Sequence, residues 1–175
     1  TTLFRSLHDA LTGLHNRRAF LPLLGSEHQR VCRTQRPCAL ALLDLDHFKQ
    51  VNDRYGHAAG DAVLVAVAQL MQERVRDIDT LARIGGEEFV ILFPESTAAE
   101  AAVALERIRQ DLQKYPVQFN GQTIAMTISI GVTDFHGGTQ GIEELLAAAD
   151  ANLYAAKSGG RNCLVGDGER HMVAG

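Results

Sequence analysis

The sequence has no C-x-x-C pair, and its three cysteines, Cys32, Cys38 and Cys163, leave an odd count. A disulfide framework is therefore not expected, and a reducing compartment is the natural setting. An excess of basic residues is also missing: 17 Lys and Arg stand against 21 Asp and Glu, a formal net charge of −4. That balance argues against a protein that coats nucleic acid. It leaves room for a small phosphorylated ligand, which needs only a few well-placed cations. The longest apolar run, "AVLVAVAQLM" from Ala62 to Met71, is far short of the roughly 20 residues that span a bilayer. No signal peptide is visible at Thr1-Thr2-Leu3. The expected location is the cytoplasm, either free or as the cytoplasmic part of a membrane-anchored bacterial protein. There is no G-x-x-x-x-G-K-[ST] phosphate loop, no internal repeat and no low-complexity linker. His8, His28, His136 and His171 lack metal-ligand spacing, and no cysteine has a neighbour that marks a nucleophile.

What is present is a core. In 175 residues, 46% are hydrophobic and 22% charged, which fits one packed domain. "ALALLDLD" (39–46) is a short apolar run ending in acids and reads as a buried strand. A helix is expected from about Gly60 to Arg74, with Asp61 at its start. "TLARI" and "EEFVILF" read as two strands joined at Gly85-Gly86, whose positive φ values would suit a two-residue hairpin. "STAAEAAVALERIRQDLQ" is a helix capped by Ser96 or Thr97. The run 117–135 reads as a second hairpin about Asn120-Gly121. "GIEELLAAADANLYAAKSGG" is a last helix ended by glycines, and "NCLVG" adds an edge strand. With a helix ahead of the first strand, this order predicts an α/β (α+β) sandwich: a mixed, mainly antiparallel sheet flanked by helices. The first strand and first hairpin would be central neighbours, so that their acidic ends meet.

Asp44 and Asp46 lie at positions i and i+2 of a strand and point to one side. A carboxylate at the end of a buried strand is costly unless paired or metal-bound. Asp46 alone suits a cap for a helix at His47-Phe48, whereas Asp44, among apolar residues, suits a metal ligand. Glu87 and Glu88 follow a turn that needs no acids. Strict alternation sends one to each face, so at most one shares the face of Asp44. Converging carboxylates make a site for a hard cation such as Mg2+, which is often held by few carboxylates plus substrate phosphates. Asn52 and Asp61 offer the donors and acceptors that a guanine edge requires, although each alone would serve as a loop or cap residue. Lys157 and Arg161, in "KSGGRN", read either as a helix C-terminus with a surface arginine or as two cations for a triphosphate.

Together, "RIGGEEF", the preceding "DLDHFKQVNDRYGHAAGD", the following "KSGGRN" and the opening "DALTGLHNRRAF" resemble the GGDEF family of diguanylate cyclases. The match runs in order from about Asp9 to Val165. The resemblance implies a fold like nucleotidyl cyclases and the polymerase palm, and condensation of two GTP into cyclic di-GMP and two pyrophosphates. It implies Mg2+, with Mn2+ as an alternative, held by Asp44, Glu87 and the carbonyl of Leu45. Glu88 would lie beside the metal, and Glu87 would also be a candidate base. Asn52 and Asp61 would bind guanine, with His57 near the nucleotide. Lys49, Lys157, Arg161 and the N–H groups of His47 and Phe48 would bind phosphates. Gly85 and Gly86 would let the nucleotide approach. "RDID" carries an R-x-x-D, implying a product-inhibition site of Arg76, Asp79 and Arg107. Turnover would require a homodimer. Residues 1–8 would end a linker helix from an N-terminal sensor, 9–166 form the catalytic domain, and 167–175 a loose tail. A receptor for GTP or cyclic di-GMP without turnover is the alternative. The departures are the Glu at position 87, where the family name has Asp, and Ile84, where an aromatic residue is frequent.

Overall fold

The computed structural model describes residues 6–171, with the side chains of the last three left out. Eight consecutive buried residues, Cys38–Leu45, form β1. Their side chains alternate between two apolar layers. Ala39, Ala41, Leu43 and Leu45 face one, and Cys38, Leu40 and Leu42 face the other. β2 (Thr80–Arg83) and β3 (Glu88–Pro94) form a hairpin. β6 (Ile128–Phe135) flanks β1 on its other side, and β7 (Leu164–Gly166) and β8 (Glu169–His171) follow. The order in the sheet is β2-β3-β1-β6-β7-β8. Among the described strands only β6 and β7 pair in parallel, so the sheet is mixed and mainly antiparallel, as the sequence predicts.

One face is covered by α2 (Phe48–Tyr55), α3 (His57–Arg74) and α4 (Ala98–Lys114), the other by α1 (Arg17–Thr34) and α5 (Ile142–Ser158). Thr97 caps α4, accepting from the Glu100 N–H at 3.2 Å, and Asn16 caps α1 through the Ala19 N–H. α5 lies so close to the sheet that Gly131 of β6 has no room for a side chain. A Cβ there would stand 2.1 Å from the Leu153 nitrogen and 2.4 Å from the Ala149 oxygen. No helix among the described residues is long and apolar enough to cross a membrane.

Several sequence expectations are corrected. Gly85 and Gly86 do not adopt positive φ. The turn they occupy is longer than two residues and is closed by the Ile84 N–H on the Glu88 carbonyl at 3.0 Å. The stretch before Gly60, which carries Asn52, is helical as well. It forms α2, with Phe48 and Val51 as its buried residues, and α3 then starts at His57, which moves Asp61 inside the helix. The run 117–135 is divided. β4 (Val117–Phe119) and β5 (Gln122–Ile124) make a separate two-stranded sheet about Asn120-Gly121, both with positive φ. β6 then joins β1 instead. β7 is not the edge, because β8 pairs outside it. The expected tail thus begins with a turn and a strand, and residues 172–175 lie outside the described part. Of the expected linker helix only Ser6 to His8 are described, with Ser6 and Leu7 helical.

Candidate functional site

Register decides what the acids can do. β1 and β3 pair so that Asp44 stands opposite Glu88. Residues directly opposite in an antiparallel pair project to the same face, with Cβ atoms about 5 Å apart. It is therefore Glu88 that shares the side of Asp44. Glu87 lies in the turn, and its carbonyl accepts from the Leu45 N–H at 3.2 Å. A Cβ at Gly85 would lie 3.0 Å from a Glu88 carboxylate oxygen, the far end of an exposed side chain that can move aside. Arg83 fastens the turn. It donates to the Gly86 carbonyl at 2.8 and 3.0 Å and to both oxygens of Asp9 at 3.0 Å. Asp9 loses some ionisation tendency to burial. Thr12 hydroxyl and N–H donors and the Arg83 guanidinium outweigh that and hold its carboxyl below the ordinary value. The sequence reading missed this pair.

Asp44 is only 6% exposed, and Lys157 donates to it from α5 at 2.9 Å. Burial pushes the Asp44 carboxyl above its ordinary range; Lys157 pulls it back, while the charges of Glu87 and Glu88 push it further up. This end of the sheet thus concentrates carboxylate charge beyond what one lysine balances. Among the described residues no three acidic, histidine or cysteine side chains already converge as a metal cage. Oxygen donors in surplus negative charge nevertheless suit a hard divalent cation that keeps open positions for other oxygen ligands.

Asp46 does not cap the helix that follows, and among the described residues it forms no ion pair. Its carboxylate accepts from Thr127 Oγ1 at 2.7 Å, Ser129 Oγ at 2.6 Å and the Asn162 N–H at 3.0 Å. It thereby fastens the loop that carries Arg161 to the end of β1. Lys157 and Asn162 bracket Arg161, which is exposed.

On the other side of β1, His47 takes φ 56° and α2 begins with no side-chain cap. Its first N–H groups, from Phe48 on, have the orientation that suits an anion. Lys49 is exposed there. Asn52 sits half-buried on α2, with its amide against Gly60 of α3. A Cβ at Gly60 would fall 1.8 Å from Asn52 Oδ1, so this glycine is what lets Asn52 lie there. His57 and Asp61 are exposed on α3.

The R-x-x-D pair is at the far end of β3, about 20 Å from Glu88 at the usual rise per strand residue. Arg76 donates to Asp79 at 2.8 Å, to the Pro94 carbonyl at 3.1 Å and to Ser96 Oγ at 3.0 Å. Asp79 is almost wholly enclosed and Arg76 half exposed. Arg107 stands exposed on α4.

Comparison with known proteins bears directly on this arrangement. A family profile described as "Diguanylate cyclase, GGDEF domain" matches residues 6–163. The diguanylate cyclase DgcP of Pseudomonas aeruginosa is 42% identical over 160 residues, covering 91% of this chain and 24% of that protein. The response regulator PleD of Caulobacter vibrioides is also 42% identical over 160 residues, covering 90% and 35%. The chain thus spans about a quarter to a third of the length of these two relatives. Among solved structures, the GGDEF domain of DgcB from Caulobacter crescentus, in complex with c-di-GMP, superposes with a TM-score of 0.89 at 35% identity, covering 94% of both chains.

Proposed function

The chain belongs to the GGDEF family of diguanylate cyclase domains, and from that premise we propose that it condenses two GTP into cyclic di-GMP and two pyrophosphates. The observation that carries this reading is the pairing of Asp44 with Glu88, with Glu87 in the adjoining turn and Lys157 bound to Asp44. Related proteins named as diguanylate cyclases, and the c-di-GMP complex of DgcB, support it.

In this reading the carboxylates of Asp44 and Glu87 and the Leu45 carbonyl hold Mg2+, for which Mn2+ can substitute. When bound, such an ion offsets phosphate charge and makes a nearby hydroxyl easier to ionise. Lys157, Lys49, Arg161 and the N–H groups of His47 and Phe48 bind the triphosphate. Asn52 donates to and accepts from guanine and the Asp61 carboxylate accepts from its N–H groups, with His57 beside the nucleotide. Gly85 and Gly86 leave the turn bare, so that the nucleotide can lie against it. Glu87 accepts the proton of the 3′-hydroxyl, with Glu88 adjacent. Each 3′-oxygen then forms a bond to the other nucleotide's α-phosphorus as pyrophosphate leaves. Each domain orients one GTP, so two copies must face one another, and catalysis is mainly positioning and charge stabilisation. An upstream sensor would set that pairing.

The test is incubation of a forced dimer with GTP and Mg2+ and separation of the products. Cyclic di-GMP from the wild type and none from Glu87→Gln is the expected result. GTP or cyclic di-GMP binding without turnover in the wild type would establish the receptor alternative instead. For product inhibition, Arg76, Asp79 and Arg107 form the proposed site. Arg76→Ala should abolish tight cyclic di-GMP binding there and spare initial turnover. Unchanged affinity for cyclic di-GMP in titration calorimetry refutes that assignment.

A further inference from the structure

Arg109 is among the bulkiest fully buried side chains in the domain, at 2% exposure. It occupies an apolar seam of α4, between Leu105 and Leu112, where a leucine would pack without any desolvation cost. A buried guanidinium needs full pairing, and this one has it. Glu106 accepts from it at 2.6 and 3.0 Å and Gln113 at 3.3 Å. Its remaining reach is across the fold, to Asn162 Oδ1 at 2.8 Å and the Asn162 carbonyl at 3.4 Å.

Asn162 ends an unusual piece of backbone. Gly160, Arg161 and Asn162 have φ of 114°, 65° and 46° in succession. A single non-glycine residue in this region is uncommon. Two in a row are strained and persist only where surrounding contacts hold them. The contacts here come from both sides. The Asn162 side chain takes the Arg109 donor, and its N–H donates to Asp46 at 3.0 Å. Just beyond, the Cys163 carbonyl accepts from the Ile130 N–H at 2.9 Å. At the other end of the loop the Arg161 N–H returns to the Ala156 carbonyl at 3.0 Å, and Lys157 binds Asp44.

We propose that Arg109 is a positioning residue: through Asn162 it locks the left-handed Gly160–Asn162 loop so that Arg161 is presented beside Lys157 to the nucleotide phosphates. Arg109 touches no substrate. It acts from the opposite face of the sheet, and its charge lets one planar group fix both the side chain and the carbonyl of Asn162. The inference rests on the functional reading above, because it assumes that Arg161 and Lys157 meet a triphosphate.

The decisive variant is Asn162→Gly. Glycine adopts φ 46° freely, so the backbone and its N–H to Asp46 are kept while the shorter, side-chain acceptor for Arg109 is removed and only the 3.4 Å contact to the carbonyl remains. Arg109→Met, which keeps the seam apolar, is the second variant. The whole chain is titrated calorimetrically, with Mg2+, against guanosine 5′-(α,β-methylene)triphosphate and separately against guanosine. Both variants should bind the triphosphate analogue about tenfold more weakly, the scale of one hydrogen bond to a charged group. Their affinity for guanosine should match the wild type. A merely structural role would weaken both ligands together, and that result overturns the proposal, as does unchanged affinity for the triphosphate. A wild type that binds neither ligand overturns the functional reading and this inference with it. A wild type that binds the analogue while the variants match it overturns the inference alone.

Discussion

Replacing Asp44 by asparagine should lower cyclic di-GMP formation by at least about a hundredfold, the scale seen when one group that stabilises a transition state is lost, while leaving the protein as stable as before or more so. The two effects have one origin. Asp44 is buried opposite Glu88 and close to Glu87. Burial raises its pKa, Lys157 opposes that, and the neighbouring glutamates add to it. The net result is a carboxyl that ionises less readily folded than unfolded. Such a group costs stability in its charged form. The cost is absent below the unfolded pKa and fully present above the raised folded pKa. An amide at position 44 keeps an oxygen for Lys157 but has no charge to desolvate. The Tm of Asp44→Asn should therefore equal or exceed that of the wild type at neutral pH. The difference should shrink as pH falls through the folded pKa of Asp44, where the wild type becomes protonated. Thermal unfolding of both proteins from pH 4 to pH 8 measures this directly. A clear loss of stability at neutral pH would mean that the Lys157 ion pair outweighs the burial of its partner.

The largest expected effect on the fold itself comes from one methyl group. Gly131→Ala should destabilise the domain by about 3 kcal/mol or more, the upper range for overpacking. That corresponds to a Tm lower by roughly 6–12 °C at this chain length. The atoms that a Cβ would meet at 2.1–2.8 Å belong to the backbone of α5, at Leu153, Ala149 and Asn152. Backbone cannot swing aside as a side chain can, so the whole helix would have to lift. α5 carries Lys157, so whatever survives folding should also bind GTP less well. Gly25 is the natural control. It lies within α1, and a Cβ there meets nothing nearer than Ile142 Cδ1 at 3.9 Å. Gly25→Ala should stabilise by about 0.5–1 kcal/mol through helix propensity. Equal behaviour of the two variants would show that α5 does not rest on Gly131.

Much of this architecture was legible from local pattern. β1 announces itself because an apolar run ends in two acids, and both turns carry small or amide residues between strand-like segments. The neighbouring placement of β1 and β3 follows from the same clues. Alternation within one strand gives parity only, however. It cannot say which residue of β3 faces Asp44, because that is set by pairing across strands, and the pairing selects Glu88. α2 was hidden because only Phe48 and Val51 of its eight residues are buried, too few to establish a helical period. The role of Asp46 was illegible for a different reason: its partners Thr127, Ser129 and Asn162 come from β6, the chain before it and the loop after α5. Arg109 left a trace that could have been followed. It stands four residues after Leu105 and three before Leu112, a core spacing, yet among so many charges it resembled a solvated face. The product-site residues rested on family resemblance throughout, since spacing alone gives no reason to prefer them over surface charge, whereas Asp44, Asn52, Asp61, Lys157 and Arg161 offered fitting chemistry with a bland alternative beside it.

The bond between Lys157 and Asp44 closes a loop of 113 residues, and that between Asn162 and Asp46 one of 116. Contacts so distant along the chain form late in folding, since the entropy of closing the intervening segment must be overcome first. A ribosome that has released everything through the GGEEF turn has therefore made a recognisable motif without a working centre. Synthesis must pass α5 and the loop behind it before the acids at the end of β1 acquire their cation and their anchor. The arrangement at this end of β1 is in this sense a property of the whole domain: its cation and its anchor arrive together, with α5 and the loop after it.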